Sequence, residues 1–372
     1  VPGVRTSGRV VLVAGQGGAG ATSLARTTAD AVRAEGFTVL EVDASGATVA
    51  RPDASVVSLT GATFGRLWQE AGADPVVPEA WSGLPDVGLV DAWIRITQAR
   101  QQSDVVVVDA GPLARVRDLC VLPGTLAHLL DAAMTPRMAM WRSVSGAGGL
   151  FESLSDLRMG VRAWLDVLQH DATSVRLVAR PERDCVDEVL GSSAVLSMLG
   201  VDVDGIVVNR VPRKGAGGTD GHAARAEGRA TVAALTEGSD GVPVWRATSR
   251  PDARPSVRPV PKGSSPVALL TDAAVPATRA RSMGLSADDD GYRLAIPLRG
   301  EARRRARVGV QDDRLVVSLD GVHAWHELPS LLRRCEPLGA ARTATGVTIR
   351  WSPDAGVWPH RPAAERVVGE EG

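Results

Sequence analysis

Residues Gly15-Gln16-Gly17-Gly18-Ala19-Gly20-Ala21-Thr22-Ser23 hold the clearest chemical signal in the chain. Gly15 and Gly20 stand at G-x-x-x-x-G spacing, and a hydroxyl residue follows at Thr22. A turn of this kind aims backbone N–H groups at a phosphate, adds the positive end of a helix dipole and leaves Thr22 free to ligate Mg²⁺. Loops of this spacing place a lysine before the hydroxyl residue to neutralise the β- and γ-phosphates. Here that residue is Ala21, and the only lysines in the chain are Lys214 and Lys262. Loss of such a cation typically costs about 10³ to 10⁵ in rate. Arg26, on the helix that follows, is one candidate substitute, with a purely structural role as the alternative. A tight glycine-rich turn without ligand is the alternative for the loop itself.

The elements around the loop read as strand, turn, helix, strand. Arg9 to Ala14 is a short β-branched run, Thr22 to Glu35 an alanine-rich helix, and Phe37 to Val42 a second strand. Buried-strand runs recur at Asp104 to Asp109, Val175 to Ala179 and Gly205 to Asn209, separated by helix-length segments. That alternation predicts a parallel sheet covered by helices on both faces. From Ser249 the chain turns rich in Pro, Arg and Ser, which predicts a linker over 249–290. Beyond it, short strands without helices follow at Tyr292 to Leu298, Ala306 to Val310, Arg314 to Leu319, Val322 to Glu327 and Val347 to Trp351. Asp320-Gly321 marks a hairpin.

Composition narrows the function classes. Charged residues are 23% of the 372, with a net charge of -1, so no global field gathers nucleic acid or an acidic membrane. Cys120, Cys185 and Cys335 are scattered, which suggests neither a disulfide framework nor a zinc site. No apolar run reaches the roughly 18 to 20 residues of a membrane span, and there is no charged-then-apolar leader. A cytoplasmic location without stable membrane insertion is the expectation.

Five segments together resemble the ArsA family of ATPases, which includes the arsenite-pump ATPase and the guided-entry factor for tail-anchored membrane proteins. Gln16 to Thr22 is similar to the family's K-G-G-V-G-K-T, with both lysines replaced, at Gln16 and Ala21. Glu41-Val42-Asp43-Ala44-Ser45 is similar to the switch I segment. Asp109-Ala110-Gly111-Pro112-Leu113-Ala114-Arg115, leading to Val121-Leu122-Pro123, resembles switch II. Ala179-Arg180-Pro181-Glu182 and Gly205 to Arg210 resemble the T-P-E segment and the strand whose asparagine contacts adenine.

The resemblance implies a P-loop NTPase-type α/β fold for residues 1–248 and a site for ATP or ADP with Mg²⁺. Gly15 to Ser23 and Asn209 would hold the nucleotide, Thr22 and Asp109 the metal, and Asp43 would orient water. Arg115, at the family's switch II histidine position, is a second candidate cation. Residues 291–353 resemble the α-crystallin-type domain appended to some relatives, a small antiparallel β-sandwich followed by a flexible tail over 354–372.

With both lysines gone, the chain is expected to hydrolyse ATP weakly or not at all. It would act as a binding, scaffold or regulatory subunit, a homodimer or the partner of an active paralogue, and a chain that holds no nucleotide is also consistent with the sequence. An active ATPase with arginine rescue that targets or chaperones membrane proteins is the alternative. Met134, Met138, Met140, Trp141 and Met159 mark a candidate apolar client surface, with ordinary helix core as the other reading.

Overall fold

The computed structural model describes residues 8–46, 87–133, 148–212, 218–250, 253–260, 283–288, 291–298, 306–311, 314–343, 345–354 and 356. The glycine loop lies between strand β1 (Arg9–Gly15) and helix α1 (Ala21–Ala34). Strands β2 (Val39–Asp43), β3 (Val105–Pro112), β4 (Thr173–Ala179), β5 (Asp202–Val208) and β6 (Val244–Arg250) complete a parallel set. The sheet has seven strands in the order β2-β3-β1-β4-β5-β6-β7, and β7 (Ala253–Val260) pairs antiparallel to β6 at its edge. The expected parallel sheet with helices on both faces is present.

Alternation along β1 divides the core. Val10, Leu12 and Ala14 join a cluster under helices α2 (Val87–Gln102), α3 (Leu113–Ala133), α4 (Gly148–Gln169), α5 (Val186–Met198) and α6 (Gly218–Gly238). Val11 and Val13 face the other way and pack with Leu24, Ala25, Ala29 and Val32 of α1. A period of two within a strand buried on both faces produces this division. Pro123 sits inside α3 and has no N–H to give the carbonyl of Leu119. Trp93 of α2 fills the vacancy: its indole N–H donates to Leu119 O at 2.8 Å, and its ring stacks on Trp164 of α4 at 6.4 Å.

The C-terminal part is antiparallel, as expected. Strands β8 (Gly284–Asp288), β9 (Gly291–Pro297), β13 (Cys335–Thr343) and β14 (Gly346–Pro353) form one sheet in the order β13-β14-β9-β8. Strands β10 (Arg307–Gln311), β11 (Arg314–Leu319) and β12 (Val322–Glu327) form the other. Asp320 and Gly321 have φ values of 50° and 79°, the left-handed pair that a two-residue hairpin turn requires. The linker expectation needs correction where the chain is described. β7 and β8 both fall within 249–290, so the first part of that stretch extends the parallel sheet and the last part belongs to the C-terminal one. Residues 261–282, and the tail apart from Asp354 and Gly356, lie outside the described residues.

The two parts share a seam. Ala194, Val195 and Met198 of α5 enter the C-terminal core beside Leu315, Val317 and Trp351. His128 of α3 stacks on Trp325 at 3.9 Å, and Arg314 donates to His128 Nδ1 at 2.8 Å and to Asp131 Oδ2 at 2.7 Å. Arg158 and Arg162 reach the other oxygen of Asp131, at 2.9 and 3.3 Å.

Two seam groups depart from their ordinary titration. Burial opposes charge on Asp131, but the Arg314 hydrogen bond with Arg158 and Arg162 outweighs it and holds the carboxyl below its usual value. Burial also opposes charge on His326 of β12, which for a histidine lowers the value, against a weaker opposing hydrogen bond to Met198. Both folded values are depressed, so both contributions are complete at neutral pH and are lost as pH falls. Folding stability should therefore start to fall below about pH 6.5, where the histidine of the unfolded chain protonates and buried His326 resists, and again below about pH 4, where the same holds for Asp131. Urea midpoints measured against pH test this, and His326→Leu should remove the upper limb alone.

Candidate functional site

The loop is built by its ends. Gly15 closes β1 between β3 and β4, and Gly20 begins α1 with φ 87° and no side-chain cap. The first-turn N–H groups of α1 are thus left for an external acceptor. Nothing would crowd a Cβ at Gly17 or Gly18, and Thr22 and Ser23 are exposed. This part of the cradle fits a phosphate and a magnesium-bound hydroxyl.

The two positions that carry lysine in the resembled loop present no charge. Ala21 contributes a methyl group. Gln16 is 8% exposed and turned into its own chain: its Nε2 donates to Glu188 of α5 at 2.6 Å, and its Oε1 accepts from the Arg180 N–H at 3.4 Å. Asn209, just past β5, bolts the loop from the far side. Its Nδ2 donates to Ala19 O at 2.8 Å while its Oδ1 accepts from the Arg210 N–H at 2.8 Å. Both ends of the Asn209 amide are therefore engaged within the chain.

The acidic residues lie on the other side of the loop. Asp43 and Asp109 are register partners at the carboxyl ends of β2 and β3, where ligands of open α/β sheets bind. Asp43 Oδ1 accepts from Ser45 N at 2.9 Å and from Ser45 Oγ at 2.7 Å, and Asp109 Oδ1 accepts from Gly111 N at 3.1 Å. The two switch-like segments touch: Ala44 N donates to Asp109 O at 2.8 Å. Gly111 has φ 67°, and a Cβ there would stand 2.8 Å from that of Ser45, so only glycine allows this approach. Arg115 donates to Ala44 O at 3.2 Å and helps to fix the same contact. Arg26 lies exposed, one helical turn beyond Thr22.

Sequence reasoning thus singles out residues, Gly15 to Ser23, Asn209, Asp43 and Asp109, that the fold sets toward the carboxyl ends of β1, β5, β2 and β3. It missed Arg210, whose guanidinium lies beside Gly20, and Glu188, the partner of Gln16. Neither left a local signal, since each reaches the loop from a distant element. The client residues Met134, Met138, Met140 and Trp141 lie outside the described residues, while Met159 on α4 is 64% exposed. Burial pushes the Cys120 thiol up to about 12 and, aided by Asp184 and Glu182, Cys185 to about 11, so neither supplies a thiolate.

The model of the anion-transporting ATPase family matches residues 27–217, just over half of the chain. The chain belongs to the anion-transporting ATPase family. The match begins beyond Thr22, so the altered loop lies outside the matched residues. An uncharacterized protein of Streptomyces coelicolor is 26% identical over 400 residues, a span that takes in 94% of this chain and 99% of that protein. That likeness runs through both parts of the molecule. Among the described residues no helix is long and apolar enough to cross a membrane.

Proposed function

We propose that this member of the anion-transporting ATPase family binds a nucleotide with little or no hydrolysis and serves as a scaffold or regulatory subunit. The observation that carries this reading is the state of the two lysine positions. Ala21 has no polar group, and Gln16 is spent on Glu188 and the Arg180 N–H. Loop N–H groups and exposed Thr22 could still hold Mg²⁺-nucleotide, while the neutralisation needed for phosphoryl transfer is missing. In a homodimer each composite site would lack both cations. Pairing with an active relative would let the partner's lysine reach this loop, and would leave the partner facing an inward-turned glutamine. The C-terminal sheets, in this reading an α-crystallin-like module, and the exposed Met159 would serve a protein or hydrophobic client.

Arginine rescue has weaker support, because Arg115 is committed to Ala44 O and Arg26 lies a turn away from the loop. The test is one sample carried through two measurements: calorimetric titration of the full chain with Mg²⁺-ATP, then phosphate release. Saturable binding with release at background is expected. Sustained magnesium-dependent turnover at rates of ordinary ATPases would refute the reading.

A further inference from the structure

We propose that Arg210 is the side-chain cation that this site offers to the phosphates of a bound nucleotide; the inference rests on the nucleotide-binding reading above. Arg210 follows β5, immediately after the asparagine that clamps Ala19. Its φ of 59° is left-handed, a conformation that costs a residue with a Cβ roughly 1 to 2 kcal/mol. From there the guanidinium lies back toward the glycine loop. Its Nε and Nη2 are both 3.9 Å from where a Cβ on Gly20 would stand. The side chain is solvent-exposed, and no carboxylate pairs with it among the described residues.

Among the described residues, the other candidate cations are occupied or remote. Arg180 is drawn to Glu182 at 3.6 Å and Asp184 at 3.3 Å. Arg115 serves Ala44, and Arg26 lies roughly 8 Å along the axis of α1 from Ala21. Arg210 therefore supplies charge where both lysines are gone.

Its place in the sheet also limits what that charge can do. In the order β2-β3-β1-β4-β5, Arg210 is two strands to one side of the loop, and the Asp43 end of β2 is two strands to the other. At about 4.8 Å per strand the two are separated by roughly 20 Å. Arg210 can draw a polyphosphate onto the loop from the Asn209 side. It does not reach the side where Asp43 and Asp109 would handle metal and water. The site is thus equipped for retention and not for transfer.

Calorimetry of the full chain with Mg²⁺-ATP at several salt concentrations tests this with Arg210→Gly and Arg210→Lys. Glycine accepts the left-handed backbone, so Arg210→Gly should keep the wild-type urea midpoint or exceed it. Its affinity should fall about 10- to 100-fold, the value of a charge-assisted hydrogen bond, and its salt dependence should flatten. Arg210→Lys should retain most of both. Unchanged affinity in Arg210→Gly, or a loss with the salt slope intact, overturns the role of Arg210 and leaves nucleotide binding standing. Absence of binding by the wild-type chain overturns both.

Discussion

Asp204→Ala is expected to destabilise the parallel sheet by about 3 to 5 kcal/mol, the usual cost of leaving a buried charge without its partner. Arg176 of β4 and Asp204 of β5 form a two-pronged pair, Nε to Oδ1 at 3.1 Å and Nη2 to Oδ2 at 2.7 Å, with side-chain exposures of 1% and 5%. Ser174 Oγ donates to the same carboxylate, and the guanidinium lies 5.2 Å from the ring centre of Trp245. The register explains why a charge pair fits inside a sheet. Val175 pairs with Val203 and Arg176 with Gly205, so Asp204 is the extra residue of a bulge that can turn its carboxylate toward β4. Gly205 completes the arrangement, since a Cβ there would run into the Trp245 ring. Hydrogen exchange of β4 and β5 amides in the variant should show the loss as faster opening. Replacing both partners, as Arg176→Met with Asp204→Leu, should recover much of it, because no charge is then stranded. A loss below about 1 kcal/mol for Asp204→Ala would mean that water reaches the guanidinium.

That pair also shows how far the sequence could be read. The apolar runs of β1, β3, β4 and β5 predict strands because Val and Leu leave no polar face, and the hairpin at Asp320-Gly321 follows from two left-handed residues. Opposite charges inside two neighbouring apolar runs, Arg176 and Asp204, were an available sign of a buried pair. Strand β13 gave none. Its sequence, Cys335-Glu336-Pro337-Leu338-Gly339-Ala340-Ala341-Arg342-Thr343, is exposed almost throughout and lacks alternation, as an edge strand containing proline can be. β7, with Pro255 and Pro259, similarly reads as linker.

The candidate site divides the same way. Spacing alone placed the glycine loop, and the resemblance placed Asp43, Asp109 and Asn209 around it. The partners that decide what the loop can do, Glu188 and Arg210, come from beyond β4 and from the end of β5. Only the strand order brings them in.

The same neighbours determine what restoring a lysine would achieve. Ala21→Lys should raise phosphate release from Mg²⁺-ATP by about 10²- to 10³-fold over the wild-type chain, the value of one preorganised charge at the transferring group. The other parts stand ready: uncapped first-turn N–H groups, exposed Thr22, and Asp43 and Asp109 at adjoining strand ends. Gln16→Lys alone should do far less. Glu188 stands 2.6 Å from the present amide nitrogen, so a lysine there would form an ion pair inside its own chain before it could serve a partner's site. The double variant with Glu188→Gln releases that lysine and should exceed Ala21→Lys only where two chains face each other across the loop. Phosphate release measured against protein concentration separates the cases. A gain from Ala21→Lys that is independent of concentration makes Ala21 the limit on phosphate release. With no gain, the turn that ties Asp43 to Ser45 becomes the obstacle, and the limit on phosphate release lies in the switch-like segments and not in the loop.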